Sequence, residues 1–182
     1  MERREALKLT ASILGGSLIG SQAFLSGCST QKERSNLLTE DDLSLLDEIG
    51  ETILPDTDQS PGAKAAHIGE FMKAMVNDCY DQEEAAIFIK GLGTIGKESN
   101  ITYGKDFLNL SVEQKLELLT SFDEESKKGQ DGDTPHFFTM MKELCIWGYF
   151  TSEPGATKAL RYNPIPGRYD GCLPYEGENA WA

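Results

Sequence analysis

The stretch Phe137-Phe-Thr-Met-Met-Lys-Glu-Leu-Cys-Ile-Trp-Gly-Tyr-Phe150 limits most what this chain can fold into. Its apolar residues fall on nearly every side of a 3.6-residue helix instead of forming one stripe. A helix of that kind must be the central buried rod of a bundle or lie against another protein. Thr134 followed by Pro135 predicts where it starts, since proline suits a first helical turn.

Four other segments carry the single stripes that such a rod needs around it. Thr39 with Asp42 resembles a capping box, and Leu45, Leu46, Ile49 and Ile53 follow at helical spacing until Pro55 stops them. Asp56 to Gly62 is dense in turn formers. Ile68, Phe71, Met72, Met75, Val76 and Cys79 form the cleanest stripe, which predicts that Cys79 points inward as an inert core thiol. Asp81 and Glu84 cap a third helix bearing Ala85, Phe88, Ile89 and Leu92, expected to fade at the glycines after Lys90. Ser111 and Gln114 cap a fourth with Val112, Leu116, Leu119 and Phe122, ahead of a charged loop over 123–133. No strand pattern of useful length occurs. The expectation is an all-α fold: a single domain of about five helices over 39–182, with an extended C-terminal tail over 148–182.

The N-terminus has to be set apart before that count is made. Arg3 and Arg4 precede an uncharged run from Leu9 to Gly27, and the pair resembles a twin-arginine export signal. Gly15, Gly16 and Gly20 leave the run only mildly apolar, poor for a permanent span. It ends in Leu25-Ser-Gly-Cys28, which resembles the lipobox of bacterial lipoproteins, where the cysteine is acylated and becomes the new N-terminus. The alternative is an uncleaved anchor with an ordinary cysteine. The expectation is a signal peptide over 1–27, lipid on Cys28, a polar tether over 28–38, and a protein held on the periplasmic side of a membrane.

Charge and residue types exclude several functions. Residues 1–27 hold three bases and two acids, so without them the net charge of −13 becomes −14. Such acidity argues against nucleic acid and against lying flat on anionic lipid. Two histidines and no Cys-x-x-Cys pair make zinc, copper and haem improbable. Gly91-Leu-Gly-Thr-Ile-Gly96 matches G-x-G-x-x-G, yet the strand that a dinucleotide loop needs before it is missing. Asp56-x-Asp58-x-Ser60 hints at a calcium loop, but Pro61 replaces the turn glycine and His67 the final glutamate. No spacing of carboxylates, serine or histidine makes a catalytic arrangement. The expectation is no catalytic, cofactor or metal residue in this chain.

The last segment is different in kind. Residues 151–182 hold four of the seven prolines, together with Arg161, Tyr162, Arg168, Tyr169, Tyr175 and Trp181. Tyr, Trp and Arg anchor interfaces, and prolines lower the entropy lost on docking. Such a tail either wraps its own helices or faces a partner. With the end of the fifth helix, the candidate interface is Trp147, Tyr149, Phe150, Arg161, Tyr162, Arg168, Tyr169 and Cys172.

Three stretches carry a resemblance: the twin-arginine leader, Ile53-Leu-Pro-Asp-Thr-Asp58 with Pro61-Gly-Ala63, and Gly148-Tyr-Phe-Thr-Ser-Glu-Pro-Gly155 running on through Ala159 to Cys172. Together they resemble the gluconate 2-dehydrogenase subunit 3 family, over essentially the whole chain after the leader. A lipobox is no required part of that family, so anchoring rests on residues 25–28. The resemblance implies a non-catalytic small subunit that escorts, helps fold and anchors a large FAD-dependent dehydrogenase. That partner would be of the glucose-methanol-choline type and oxidise a sugar or sugar acid. FAD would sit in the partner, none in this chain, and electrons would pass to a cytochrome c subunit or to quinone. A cysteine left without an internal mate adds a disulfide to the partner, at Cys172 by accessibility or at Cys145. Two other readings stay open: a metal-using enzyme built on the 56–58 loop, and a lipid-anchored carbohydrate-binding module using the tail's aromatic rings.

Overall fold

A computed structural model of the chain describes residues 38–128, 134–165, 167–168, 171–172 and 174–181. Arg3, Arg4, Cys28, the tether over 28–37 and Tyr169 lie outside them. Five helices follow one another: α1 (Leu43–Ile53), α2 (Ile68–Asp78), α3 (Gln82–Tyr103), α4 (Val112–Lys128) and α5 (Phe137–Thr151). Single 3-10 turns cover Glu40–Asp42, Ala63–Ala66 and Phe107–Asn109, and one π-helical turn covers Gly155–Ala159. No strand occurs among the described residues, so the fold is all-α as the stripes predict.

Local chemistry explains most of the starts and stops. The Thr39 amide donates to the Asp42 carboxylate at 2.8 Å, and Leu54 ends α1 just before Pro55. Asp81 accepts from the amides of Glu83 and Glu84, while Glu84 accepts from the amide of Asp81, a complete capping box for α3. Ser111 and Gln114 exchange the same pair of bonds ahead of α4. The α5 rod touches all four other helices. It buries Phe138, Met140, Met141, Leu144, Cys145 and Tyr149 against Leu46, Ile49, Ile68, Met72, Phe88, Leu119 and Phe122. Its central place follows from its sequence, but Ile146 and Trp147 stay exposed, so one side of the rod is uncovered.

The chain enters this bundle at a fixed point. Leu38 is buried, its amide donates to the Asn77 side chain at 3.0 Å, and the Asn77 amide returns a bond to the Leu38 carbonyl at 3.2 Å. A second cross-tie is ionic: the Lys115 ammonium, nearly buried, meets the Glu48 carboxylate at 2.6 Å, and Lys64 pairs with the same carboxylate from outside. Burial alone would raise the pKa of Glu48, yet hydrogen bonds from Lys115 and Lys64 outweigh it and hold the group below its ordinary value.

Several sequence expectations need correction. The third helix does not fade at the glycines; α3 runs through them for 22 residues and stops at Gly104, which takes the left-handed φ of 67° that favours glycine. Cys79 is exposed rather than core. The helix that carries its stripe ends at Asp78, and Tyr80 instead folds inward, edge-on to Phe88. The charged stretch 123–133 is helical as far as Lys128, where Asp123 bridges to Lys127 at 2.6 Å and to Lys142 of α5. Val112 and Leu116 are exposed because Lys115, Leu118, Leu119 and Phe122 form the inward face of α4. The cap of α5 is His136, whose ring nitrogen accepts from the Phe138 amide, so Thr134 and Pro135 lie before the helix. The C-terminal tail expected from 148 begins later, since Gly148–Thr151 closes α5 and Gly155–Ala159 is helical.

Candidate partner interface

Two of the stretches that carry the family resemblance, 88 positions apart at their contact, meet at one end of the bundle. The loop after α1 is held from beneath by Glu51, whose carboxylate accepts from the amides of Asp56 at 3.0 Å and Lys64 at 2.9 Å. Thr57 and Ser60 close it from above: the Thr57 amide donates to the Ser60 carbonyl at 3.0 Å, and the Ser60 amide donates to the Thr57 hydroxyl at 3.1 Å. The Tyr149 hydroxyl of α5 donates to the Pro61 carbonyl, and the Cys145 thiol to the Gly50 carbonyl at 3.7 Å. The loop is thereby fixed to the end of the central helix.

The C-terminal end of α5 turns sharply just beyond. Ser152 donates to the Tyr149 carbonyl through both its amide and its hydroxyl, at 3.1 and 2.6 Å. At Gly155 a Cβ would stand 1.9 Å from that same carbonyl oxygen, so only glycine permits the turn. This accounts physically for Ser152-Glu-Pro-Gly155. On the outer side, Gly148 lets Phe71 of α2 lie close, and Phe71 stands edge-on to Trp147 with ring centroids 5.6 Å apart.

The eight expected interface residues divide sharply. Trp147 is 53% exposed beside Ile146 and offers a surface. Tyr149 is buried and serves the fold, and Phe150 is half-buried with its ring edge-on to Tyr149. Arg161 is a junction: its amide donates to the Ala180 carbonyl at 2.8 Å, its guanidinium lies 3.9 Å from the centroid of the Trp181 ring, and Nη1 reaches Glu178 at 3.4 Å. Tyr162, Arg168 and Cys172 are exposed, and Tyr169 lies outside the described residues. Glu178 and Trp181 were not on the sequence-based list of site residues. Seventeen and twenty positions beyond Arg161 in an irregular segment, they leave no periodic signal.

Of the thiols, Cys145 sits in the core, where burial and then the charge of Glu51 push its pKa up to about 12. Cys79 and Cys172 are the exposed ones. Gly91, Gly93 and Gly96 stand inside a continuous helix, which is not the strand–loop–helix setting of a dinucleotide site. Among the described residues no three His, Cys, Asp or Glu side chains converge as a metal site would. No helix among them is long and apolar enough to cross a membrane.

The sequence model of gluconate 2-dehydrogenase subunit 3 matches residues 40–167, from the turn before α1 to the segment beyond Arg161. The chain belongs to the gluconate 2-dehydrogenase subunit 3 family. Comparison with curated proteins and with solved structures gives no match. In this subunit 3 chain all five helices, the Glu51-held loop and the turn at Gly155 lie inside the matched span. Arg161 lies inside it too, whereas its partners Glu178, Ala180 and Trp181 lie beyond.

Proposed function

We propose that this chain is the non-catalytic small subunit of a dehydrogenase complex, which escorts, helps fold and anchors a large FAD-dependent subunit. The large subunit is of the glucose-methanol-choline type and oxidises a sugar or sugar acid, with FAD bound there and a cytochrome c subunit as a further partner. Export runs by the twin-arginine route through Arg3 and Arg4, and lipid on Cys28 holds the complex to the periplasmic side of a membrane. Family membership over residues 40–167 carries the reading. The uncovered side of α5, with Trp147 against Phe71, adds a surface of the aromatic kind that interfaces use. A disulfide to the partner would use an exposed thiol, Cys172 or Cys79, since Cys145 is enclosed.

The test is affinity purification of the tagged chain from membranes in mild detergent, with an absorbance spectrum of what accompanies it. A co-purifying flavoprotein active on a sugar or sugar acid supports the reading; a lone colourless chain refutes it. One observation favours a second reading, a carbohydrate-binding module. Pro174, Tyr175, Asn179 and Trp181 line a cleft of about 490 Å³ with Arg161 and Glu178, which joins ring faces to hydrogen-bonding groups. Titrating sugars into a Trp147→Phe variant leaves Trp181 as the sole tryptophan reporter. Saturable quenching would favour the module.

A further inference from the structure

The cleft of about 490 Å³ opens where the end of the chain returns to Arg161. The backbones of Arg161 and Trp181 form a parallel bridge, with the Arg161 amide donating to the Ala180 carbonyl at 2.8 Å. The Asn179 side-chain amide reaches the Lys158 carbonyl at 3.4 Å. These bonds bring Tyr175, Glu178 and Trp181 around one guanidinium. The volume lies within the range that small-molecule sites occupy.

The polar groups of the cleft have capacity left over. A guanidinium carries five donors, yet the hydrogen bond that Arg161 makes from it among the described residues is a long one, from Nη1 to Glu178 at 3.4 Å. Arg161 Nε is shielded from solvent and has no acceptor, and an enclosed donor left unpaired is costly. The Glu178 carboxylate also accepts from the Glu176 amide at 3.2 Å and still has room for a hydroxyl donor. Beside these groups stand open ring surfaces. The guanidinium lies 3.9 Å from the centroid of the Trp181 ring, but Trp181 stays 59% exposed and Tyr175 82%. Arg161 and Glu178 are the charged side chains of the lining, and their charges cancel.

We infer that this cleft takes a neutral sugar and turns away a sugar acid, with Glu178 setting the difference. This rests on the carbohydrate-binding reading above and is independent of the escort role. A neutral sugar supplies what the cleft lacks. One hydroxyl accepts from the guanidinium, another donates to Glu178, and a face of C–H groups lies on an aromatic ring. A carboxylate in the same place meets a guanidinium that already faces Glu178, so two anions must share one cation. Like charges brought together raise the cost of binding, which is discrimination by repulsion.

The experiment titrates the full Trp147→Phe chain with glucose and with gluconate at matched ionic strength, following Trp181 fluorescence. Glucose is expected to give a saturable change, and gluconate to need at least about ten times the concentration because of the like charge. Adding Glu178→Gln keeps a hydrogen-bonding side chain and removes the charge, which should bring the two ligands within about threefold of each other. Far-ultraviolet circular dichroism matching the parent shows that the helices remain folded. Gluconate binding as tightly as glucose, or a ratio that Glu178→Gln leaves unchanged, would overturn the inference and leave the carbohydrate reading standing. No change with either ligand would sink the carbohydrate reading and this inference together, with the escort reading untouched.

Discussion

Three glycines in α3 offer a test in which one substitution should act with opposite signs within two turns of one helix. Gly91, Gly93 and Gly96 each forgo the roughly 1 kcal/mol by which alanine is favoured over glycine inside a helix. A Cβ on Gly93 or Gly96 would meet nothing within 4 Å, so alanine there gains that term and loses none. At Gly91 a Cβ would lie 2.3 Å from Phe137 Cγ and 2.4 Å from Phe137 Cβ. Rotating the ring cannot relieve a clash with Cβ, so α3 or α5 must shift. Such overpacking costs about 1–3 kcal/mol and outweighs the helical gain. In a chain of this length about 1 kcal/mol moves the melting temperature by about 2–4 °C. Gly93→Ala and Gly96→Ala should each raise it by about that much, and Gly91→Ala, at a net cost of up to about 2 kcal/mol, should lower it by up to about 8 °C. Thermal unfolding followed by far-ultraviolet circular dichroism reads all three. A fall for Gly93→Ala or Gly96→Ala would mean that those glycines are needed bare and that the helix is not as described. A rise for Gly91→Ala would refute the packing of Phe137 against it.

Two further outcomes follow from buried charge and buried sulfur. Glu48→Gln leaves the nearly buried ammonium of Lys115 without its half-buried counter-ion and should cost about 1–3 kcal/mol at neutral pH, less than for a fully buried pair, with Lys115→Met added to it recovering much of the loss. A carboxylate held low in the fold stabilises above its unfolded value of 4.5 and loses that contribution as pH falls through the lower folded value. Urea titrations of wild type and Glu48→Gln should therefore converge on acidification, and a gap that stays constant would show that Glu48 is not the cause. For the thiols, Cys79 and Cys172 should react with a maleimide in the native protein while Cys145 does not. A pKa moved from 9.0 to about 12 leaves about a thousandfold less thiolate, before access is counted. Labelled peptides identified by mass spectrometry check this, and fast reaction at Cys145 would contradict its place between α1 and α5.

The helices were legible because caps and stripes are local. The Thr39, Asp81 and Ser111 caps and the Ile68–Val76 stripe depend on residues within a turn or two of each other. The misreadings came where a distant residue decided the outcome. α3 continues through its glycines because Phe88, Leu92, Ile95 and Ser99 are buried along one side of it, which outweighs a helical penalty of about 1 kcal/mol for each glycine. α4 turns Lys115 inward because Glu48 waits there, 67 positions away, and no count of apolar spacing registers that pairing. Both Trp147 and Tyr149 were expected at the surface, yet Trp147 is exposed and Tyr149 is buried. They are aromatic and two positions apart, and composition does not register that the Pro61 carbonyl takes the hydroxyl of Tyr149. Arg161 and Trp181 were named from composition, but their meeting with each other and with Glu178 was not legible, since it joins distant positions of a stretch without period.

The fastening of Leu38 by Asn77 fixes where a pull on the N-terminal side enters the bundle. The Asn77 side chain holds both the amide and the carbonyl of Leu38, so a force along the chain passes into α2 before it reaches α1. Were Cys28 lipidated as proposed, ten residues would separate the lipid from that hold, a reach of at most about 35 Å. The proposed complex would then have to meet its electron acceptor within that height.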